Sequence, residues 1–295
     1  MLLATVTLWG LNFTVTKYVL SHGFQPIAYG CLRFGMAAAI LSAVAYGRER
    51  SFELRRRDLM ALGGAALIGI FLNQLTFVYA IKLTTATTVA LLFGTLPVLA
   101  GLFAFVLGIE RLGRRFWLAG ALAAAGAALV ALGSSGAVST HVWGVALALA
   151  ATATWAWYSV AAAPLLQRYS PLRVSSVAFV IGSIPLFIVG SPQLASQDYS
   201  FGPGIWLLYV FAVLGPLVVA NLLWFGGISR VGPSRASVFA NLQPFLAAIF
   251  SLLILDESMT RLQLVGGLAI AGAIVLSRDR VAPVPVRPAT QGAGK

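Results

Sequence analysis

The sequence predicts an all-α integral membrane protein in which ten transmembrane helices form two inverted five-helix repeats around a central cavity. Three observations lead to this fold class: an apolar composition, apolar stretches of membrane-spanning length, and two similar halves. Of the 295 residues, 59% are hydrophobic and only 9% are charged, and the mean hydropathy is +0.91. A water-soluble domain carries about 25% charged residues. We therefore expect most of the chain to lie in lipid.

Ten apolar stretches follow one another along the chain. Most of them approach the ~20 residues that a helix needs to cross a hydrocarbon core about 30 Å thick. Helices are expected because each one pairs its own backbone N–H and C=O groups within the lipid. The predicted spans cover residues 2–20, 27–47, 59–81, 86–108, 116–133, 142–163, 173–190, 205–228, 236–255 and 262–277.

The two halves share residues at nearly constant spacing. Three residues of the first half recur 147 residues later, and two recur 148 residues later. Each half holds an odd number of spans, so the halves should cross the bilayer in opposite directions. We expect one repeat at 1–134, a second at 135–277, and a disordered cytoplasmic tail at 278–295, which is basic and rich in proline. The recurring pairs are Asn73 and Asn221, Phe77 and Phe225, Pro97 and Pro244, Glu110 and Glu257, and Gly120 and Gly267.

The positions of the basic residues predict the orientation in the membrane. A net charge of +12 could indicate nucleic-acid binding, but the basic residues alternate with the predicted loops and do not cluster in a soluble domain. If the N-terminus is cytoplasmic, 16 Lys and Arg residues lie inside, and only Lys17, Lys82 and Arg261 lie toward the outside. This distribution follows the positive-inside rule. We expect a protein of the inner membrane with both termini in the cytoplasm and no nucleic-acid partner.

Several short motifs occur in a fixed order in both halves. The first half contains WGLNF at 9–13, LRF at 32–34, LPV at 96–98 and ERL at 110–112, and the second contains WAWY at 155–158, QPF at 243–245 and DES at 256–258. Over residues 2–277 the chain resembles the ten-helix, EamA-domain branch of the drug/metabolite transporter superfamily. The resemblance implies export of small metabolites. The aromatic density makes the chain most similar to the exporters of aromatic and other neutral amino acids.

Two polar and aromatic helix faces are candidates for the walls of the cavity. Trp9 and Asn12 share one face of the first predicted helix, and Trp155, Tyr158 and Ser159 lie on or beside one face of the sixth. Interfacial anchoring is the alternative for the aromatic residues. Anchors lie at span ends, however, whereas these residues lie several positions inside their spans. Transporter sites form near the midplane where the repeats meet, so we expect the substrate there.

The third and eighth predicted helices supply a second set of candidate binding residues. Amide side chains in hydrocarbon need partners, so they should turn toward the protein interior. Hydrogen bonds between helices are an equally good explanation for these amides. We expect Phe77 and Tyr79 to stack on an apolar substrate group, and Asn12, Gln74 and Asn221 to bind a carboxylate and an amine. The whole set on these two helices is Asn73, Gln74, Phe77, Tyr79, Asn221 and Trp224.

Pro97 and Pro244 are candidate hinges. Both lie inside predicted spans at repeat-equivalent positions, where a proline removes an intrahelical hydrogen bond and kinks the helix. Matched kinks suit a mechanism of alternating access, in which one repeat rocks or bends against the other. A static kink that only shapes the packing is the alternative.

Gly120 and Gly267 are each followed four residues later by an alanine. Such small-residue pairs let helix backbones approach closely. We expect them to serve packing within the chain, with a dimer interface as the alternative, and so expect a monomer or a weak dimer.

All eight acidic residues map to loops or span ends, and no carboxylate is predicted at the centre of a span. A proton-coupled exporter of cations ordinarily needs such a group, so we expect neutral or zwitterionic substrates. A multidrug exporter of lipophilic or quaternary cations is the alternative, since aromatic cages also hold cations. Arg33, inside the second span, should be functional by default for a buried charge, although a structural role fits equally well.

The sequence offers no candidate for catalysis or for a metal site. It contains two histidines and one cysteine, and no HExxH, paired-carboxylate or Ser-His-Asp pattern. We therefore expect a transporter of a small molecule that works in the lipid bilayer without a cofactor, and not an enzyme.

Overall fold

The computed structural model describes residues 1–108, 112–133, 138–231, 239 and 242–277. Every regular element within these residues is helical. The repeat residue Glu110 and the predicted tail 278–295 lie outside them. The helices are α1 Leu2–Ser21, α2 Pro26–Glu49, α3 Arg56–Ala66, α4 Asn73–Leu83, α5 Ala86–Phe93, α6 Leu96–Val106, α7 Arg114–Gly133, α8 Val138–Ala162, α9 Pro171–Ser196, α10 Pro203–Ala212, α11 Ala220–Val231, α12 Gln243–Leu255 and α13 Arg261–Ser277.

Local sequence explains where several helices begin. Proline occupies the first turn of α2, α9 and α10, where its missing N–H is not needed. The side chains of Thr85 and Ser170 cap α5 and α9, each accepting a hydrogen bond from a backbone N–H three residues later.

Within the described residues, six helical segments are long and apolar enough to cross a membrane. The bent pair α5 and α6 would be a seventh, and α12 and α13 are shorter apolar helices. The six segments are Pro26–Glu49, Arg56–Leu83, Arg114–Gly133, Val142–Gln167, Pro171–Ser196 and Pro203–Gly227. The chain is therefore built as a multi-pass membrane protein, as the composition predicts.

Two of the long helical segments contain a π-helical turn. Leu67–Leu72 joins α3 to α4, and Val213–Val219 joins α10 to α11. Asn73 directly follows the first π segment, and Asn221 lies two residues after the second. Single π turns inside α-helices are rare and occur frequently at functional sites.

Helix pairs from the two halves pack against each other. Phe34 of α2 stacks on Phe179 of α9 with ring centroids 5.2 Å apart. Where α7 meets α13, a Cβ atom added to Gly126 would lie 2.7 Å from the carbonyl oxygen of Gly266, so only glycine permits this approach. Gly120 and Gly267, which the sequence predicted as packing residues, also have neighbours within the chain. The closest approach between α7 and α13, however, is made by Gly126 and Gly266.

Polar contacts fasten both ends of the helix bundle. The α2–α3 end, where those two helices are joined, holds two ion pairs: Arg173 with Glu49 at 3.1 Å and Arg168 with Asp58 at 2.8 Å. The opposite end, the α1–α2 end, holds Lys17, whose Nζ donates to the carbonyl oxygens of Ile81 at 2.9 Å and Thr84 at 2.7 Å. Each set of contacts joins elements far apart in the sequence.

Glu257 makes a second contact between elements at the α1–α2 end. Its carboxylate accepts hydrogen bonds from the backbone N–H groups of Ala86 at 3.1 Å and Thr87 at 3.0 Å, at the start of α5. A carboxylate is well placed there because the first N–H groups of a helix have no partner within it and the helix dipole is positive at that end. The turn between α12 and α13 is thereby tied to α5.

Candidate functional site

A cluster of tryptophans joins α1, α8 and α11. The ring of Trp9 lies 5.9 Å from that of Trp155 and 5.3 Å from that of Trp224. Tyr158 extends the cluster, with its ring 5.5 Å from Trp155. Ser159, also predicted on this face, donates its hydroxyl to the carbonyl oxygen of Trp155 at 2.8 Å. The first and second halves of the chain thus meet at these rings.

Trp9 is oriented by the second π segment. Its indole Nε1–H donates to the carbonyl oxygen of Pro216, 3.0 Å away, inside Val213–Val219. A half-buried indole N–H needs such a partner in a membrane, and the wider π turn presents the carbonyl to it.

A second aromatic cluster lies one turn further along α1. Phe13 contacts Phe77 of α4 at 5.5 Å and Phe93 of α5 at 5.2 Å between ring centroids. Phe77 and Phe93 also contact each other at 6.1 Å. The sequence singled out Phe77 but not the other two rings, since phenylalanine is an ordinary residue of lipid-facing helices. The i, i+4 spacing of Phe13 from Trp9 was the available signal.

Asn12 lies on α1 between the residues that supply the two clusters. Asn12 is 8% exposed, and its Oδ1 has no hydrogen-bond partner within the described ranges. An unpaired buried acceptor costs about 1–3 kcal/mol, so such groups normally find a partner. Asn12 therefore keeps a free hydrogen-bond acceptor on the helix that supplies a ring to each cluster.

Asn73 and Asn221, in contrast, have partners within the protein. Asn73 Nδ2 donates to the carbonyl oxygen of Ala151 at 2.7 Å and to Thr154 Oγ1 at 3.2 Å. Asn221 Oδ1 accepts a hydrogen bond from Ser175 Oγ at 3.0 Å. Both amides hold helices together, which is the alternative that the sequence left open for them.

Gln74 and Tyr79 also differ in whether their polar atoms have hydrogen-bond partners. Gln74 is 2% exposed and packs against Gly30 of α2, and no described residue is a hydrogen-bond partner of its Nε2. The hydroxyl of half-buried Tyr79 accepts a hydrogen bond from Gln193 Nε2 at 3.0 Å. Gln193 also accepts from the backbone N–H of Ile27 at 2.8 Å, a role in α9 that no sequence signal indicated.

The two candidate hinge residues, Pro97 and Pro244, were predicted inside continuous helices, but each lies at the start of a helix. The chain bends by 42° between α5 and α6, at Gly94 and Thr95. Pro97 and Pro244 stand in the first turns of α6 and α12, so neither removes a hydrogen bond from a continuous helix interior. A Cβ atom on Gly94 would lie 3.4 Å from Pro244 Cγ, so the bend faces the start of α12.

A small apolar cleft lies beside this bend. It is lined by residues of α5, α12 and α13, with Gly94 and Pro244 among them. The cleft therefore lies next to the bend and not beside the tryptophan cluster. No group of His, Cys, Asp and Glu suited to a metal ion occurs in the described part of the chain.

Comparison with known proteins identifies the family. The model of the EamA-like transporter family matches residues 1–132 and again residues 142–278. An uncharacterized transporter of Archaeoglobus fulgidus is 29% identical over 284 residues, covering 94% of this chain and 97% of that protein. The uncharacterized transporter YetK of Bacillus subtilis is 26% identical over 281 residues, covering 94% and 85%.

Two further relatives bear on function and on fold. A probable terminal-alkyne amino-acid exporter of Streptantibioticus cattleyicolor is 28% identical over 284 residues, covering 92% of this chain and 93% of that protein. A solved crystal structure with 19% sequence identity matches 93% of this chain and 95% of its own with a TM-score of 0.64, which indicates the same fold. The chain is a multi-pass membrane protein that belongs to the EamA-like transporter family of the drug/metabolite transporter superfamily.

Proposed function

We propose that the protein exports neutral amino acids, aromatic ones in particular, across the inner membrane by alternating access. The observation that carries this proposal is the unpartnered Oδ1 of Asn12 between two aromatic clusters. An amide acceptor suits the ammonium group of an amino acid, and aromatic rings suit an apolar side chain. The similarity to a probable amino-acid exporter supports the same substrate class.

The proposed architecture has ten transmembrane helices in two inverted repeats, 1–134 and 135–277, with both termini in the cytoplasm. The two π segments support it, because each precedes one member of the Asn73 and Asn221 pair. The stacking of Phe34 on Phe179 supports it too, since these residues lie eight positions after Pro26 and Pro171, the first residues of α2 and α9. The family model, which matches once in each half, agrees with this division.

In the proposed mechanism the two aromatic clusters close the substrate site from opposite directions along α1. The tryptophan cluster lies toward the Met1 end of that helix and the phenylalanine cluster lies toward the Ser21 end. Opening one cluster at a time would expose the site to one side of the membrane. Bending at Gly94 and Thr95, beside Pro97 and opposite Pro244, would move α5 and its ring Phe93.

Transport needs no chemical change of the substrate, so we propose that the protein is not an enzyme and works without a cofactor. Its residues bind, orient and release the substrate. Trp155 and Trp224 supply ring surface, Trp9 is fixed by Pro216, and Asn12 supplies the free hydrogen-bonding group. We propose a monomer or weak dimer as the functional form.

A counterflow assay tests this proposal. Purified protein in liposomes preloaded with unlabelled phenylalanine should accumulate labelled phenylalanine transiently, and leucine should compete. Vesicles loaded with a quaternary amine form the second arm. Counterflow of the amine without that of any amino acid would replace the proposal by the multidrug alternative, for which an aromatic cage is also suitable.

A further inference from the structure

Arg33 is a charged residue enclosed by the helices. It lies in the interior of α2, seven residues after Pro26, and is 1% exposed. A guanidinium carries a positive charge, and burying it without an anionic partner is strongly destabilising. Charged residues inside membrane segments are rare and commonly mark substrate pathways.

The protein supplies Arg33 with few partners. Nη1 donates to Thr16 Oγ1 at 3.2 Å, and the guanidinium carbon lies 4.8 Å from the centre of the Tyr29 ring. Nε has no partner among the residues that the structure describes. Within the described ranges no carboxylate lies at ion-pair distance from Arg33. Glu49 and Asp58 are already paired with other arginines.

Two more unpartnered polar groups belong to the same region. The hydroxyl of Tyr29, which is fully buried, and the Nε2 of Gln74, 2% exposed, have no hydrogen-bond partner in the described part of the chain. Gln74 packs against Gly30, which lies on α2 between Tyr29 and Arg33. Helix α2 and its neighbour α4 thus carry three buried donor atoms, Arg33 Nε, the Tyr29 hydroxyl and Gln74 Nε2, that have no acceptor among the described residues.

We propose that Arg33, together with Gln74 and Tyr29, binds the carboxylate of the transported molecule. A carboxylate has two oxygens and about four acceptor positions, enough to satisfy all three groups, and arginine binds it with two parallel hydrogen bonds. Asn12 lies one turn from Thr16 on α1, the residue that Arg33 contacts. The substrate would therefore reach from this carboxylate subsite to the free acceptor of Asn12.

The second half of the chain argues against a purely structural need for the charge. Helix α9 begins with Pro171 as α2 begins with Pro26, and seven residues later it carries Ala178, which is fully buried. A helix of this type therefore packs without an arginine. The charge occurs in one half only, which suits one carboxylate per transport cycle.

This inference rests on the proposed function, so its test includes a readout that does not require transport. The thermal stability of purified protein is measured with phenylalanine, with 3-phenylpropionate, which lacks the amine, and with phenethylamine, which lacks the carboxylate. Both carboxylates should stabilise the wild type and phenethylamine should not. Equal stabilisation by phenethylamine, or none by either carboxylate, would overturn the proposal.

Three variants assign the effect to the subsite. Arg33→Gln should weaken binding of 3-phenylpropionate by roughly 100-fold, Arg33→Lys should retain part of it, and Arg48→Gln, an exposed position on the same helix, should leave it unchanged. Gln74→Leu keeps the charge and should also weaken binding, which tests the subsite even if Arg33→Gln does not fold. Unaltered binding in Arg33→Lys and Gln74→Leu would contradict the assignment.

The outcomes separate the two proposals. If the wild type shows no amino-acid counterflow but is stabilised by 3-phenylpropionate through Arg33, the carboxylate subsite stands and amino acids are the wrong substrates. If counterflow of phenylalanine is normal and Arg33→Gln does not change its affinity, the export proposal stands and the carboxylate subsite is wrong.

Discussion

The indole N–H of Trp9 donates a hydrogen bond to the carbonyl oxygen of Pro216, 3.0 Å away, across the boundary between the two halves of the chain. Pro216 lies inside a π turn, and Trp9 lies at the centre of the tryptophan cluster. The π turn therefore has a direct connection to the candidate site: it fixes the orientation of the ring that contacts both Trp155 and Trp224.

Trp9→Phe should destabilise the protein by about 1 kcal/mol or more, because the Pro216 carbonyl loses its donor and the smaller phenyl ring packs less against Trp155 and Trp224. Thermal unfolding in detergent measures this. Trp143→Phe is the matched control, since Trp143 is 67% exposed. Equal melting temperatures in the two variants would show that the hydrogen bond does not contribute.

Trp155→Ala should reduce counterflow of phenylalanine at least tenfold, since truncating an aromatic anchor of a binding surface costs about 2 kcal/mol or more. Tyr79→Ala should reduce it as well. Tyr79→Phe, which removes only the hydroxyl bonded to Gln193, distinguishes stacking from support of α9. Full activity in Trp155→Ala and Tyr79→Ala, with the fold intact, would remove both residues from the site.

Pro97→Ala and Pro244→Ala should slow turnover more than they weaken substrate binding. Both prolines stand in the first turn of a helix beside the bend at Gly94, where alanine permits the helix to continue through the break. The measurement is the ratio of counterflow rate to binding affinity for each variant. An unchanged rate in both would mean that the bend is only structural.

Glu257→Gln should loosen the α1–α2 end of the bundle, because the start of α5 loses a charged acceptor for two N–H groups. A cysteine at Ala86, a fully buried residue, in a Cys31→Ser background should then react with a maleimide roughly fivefold faster. Asp256→Asn, the neighbouring exposed acid, is the control. Equal rates in the two variants would contradict this role of Glu257.

Hydropathy and helical spacing were sufficient to predict a helical membrane fold with Trp9 and Trp155 inside helices. They could not predict the π turns, because one extra residue per turn leaves the apolar pattern nearly unchanged. The break at Gly94 was expected as a kink at Pro97, since a sequence does not reveal whether a proline interrupts a helix or begins the next segment.

The candidate site could be predicted only in part, because a sequence does not show tertiary contacts. The repeat pattern pointed to Asn73 and Asn221, and the polar face of the first helix pointed to Asn12, but only tertiary contacts decide which amide finds a partner. Phe13 and Phe93 have no polar atom to distinguish them from lipid-facing residues. Gln193 accepts a hydrogen bond from the backbone N–H of Ile27 at the start of α2. These residues are 166 positions apart, so the sequence pattern does not reveal the contact.

The inverted arrangement of the two halves is tested most directly by cysteine labelling at Arg111 and Ser258, which are equivalent at the 147-residue spacing. Each is replaced by cysteine in a Cys31→Ser background, and intact cells are treated with a membrane-impermeant maleimide. We predict that the cysteine at 258 reacts in intact cells and that the cysteine at 111 reacts only after permeabilisation. Reaction of both from the same side would contradict the inverted repeat and the transport mechanism built on it.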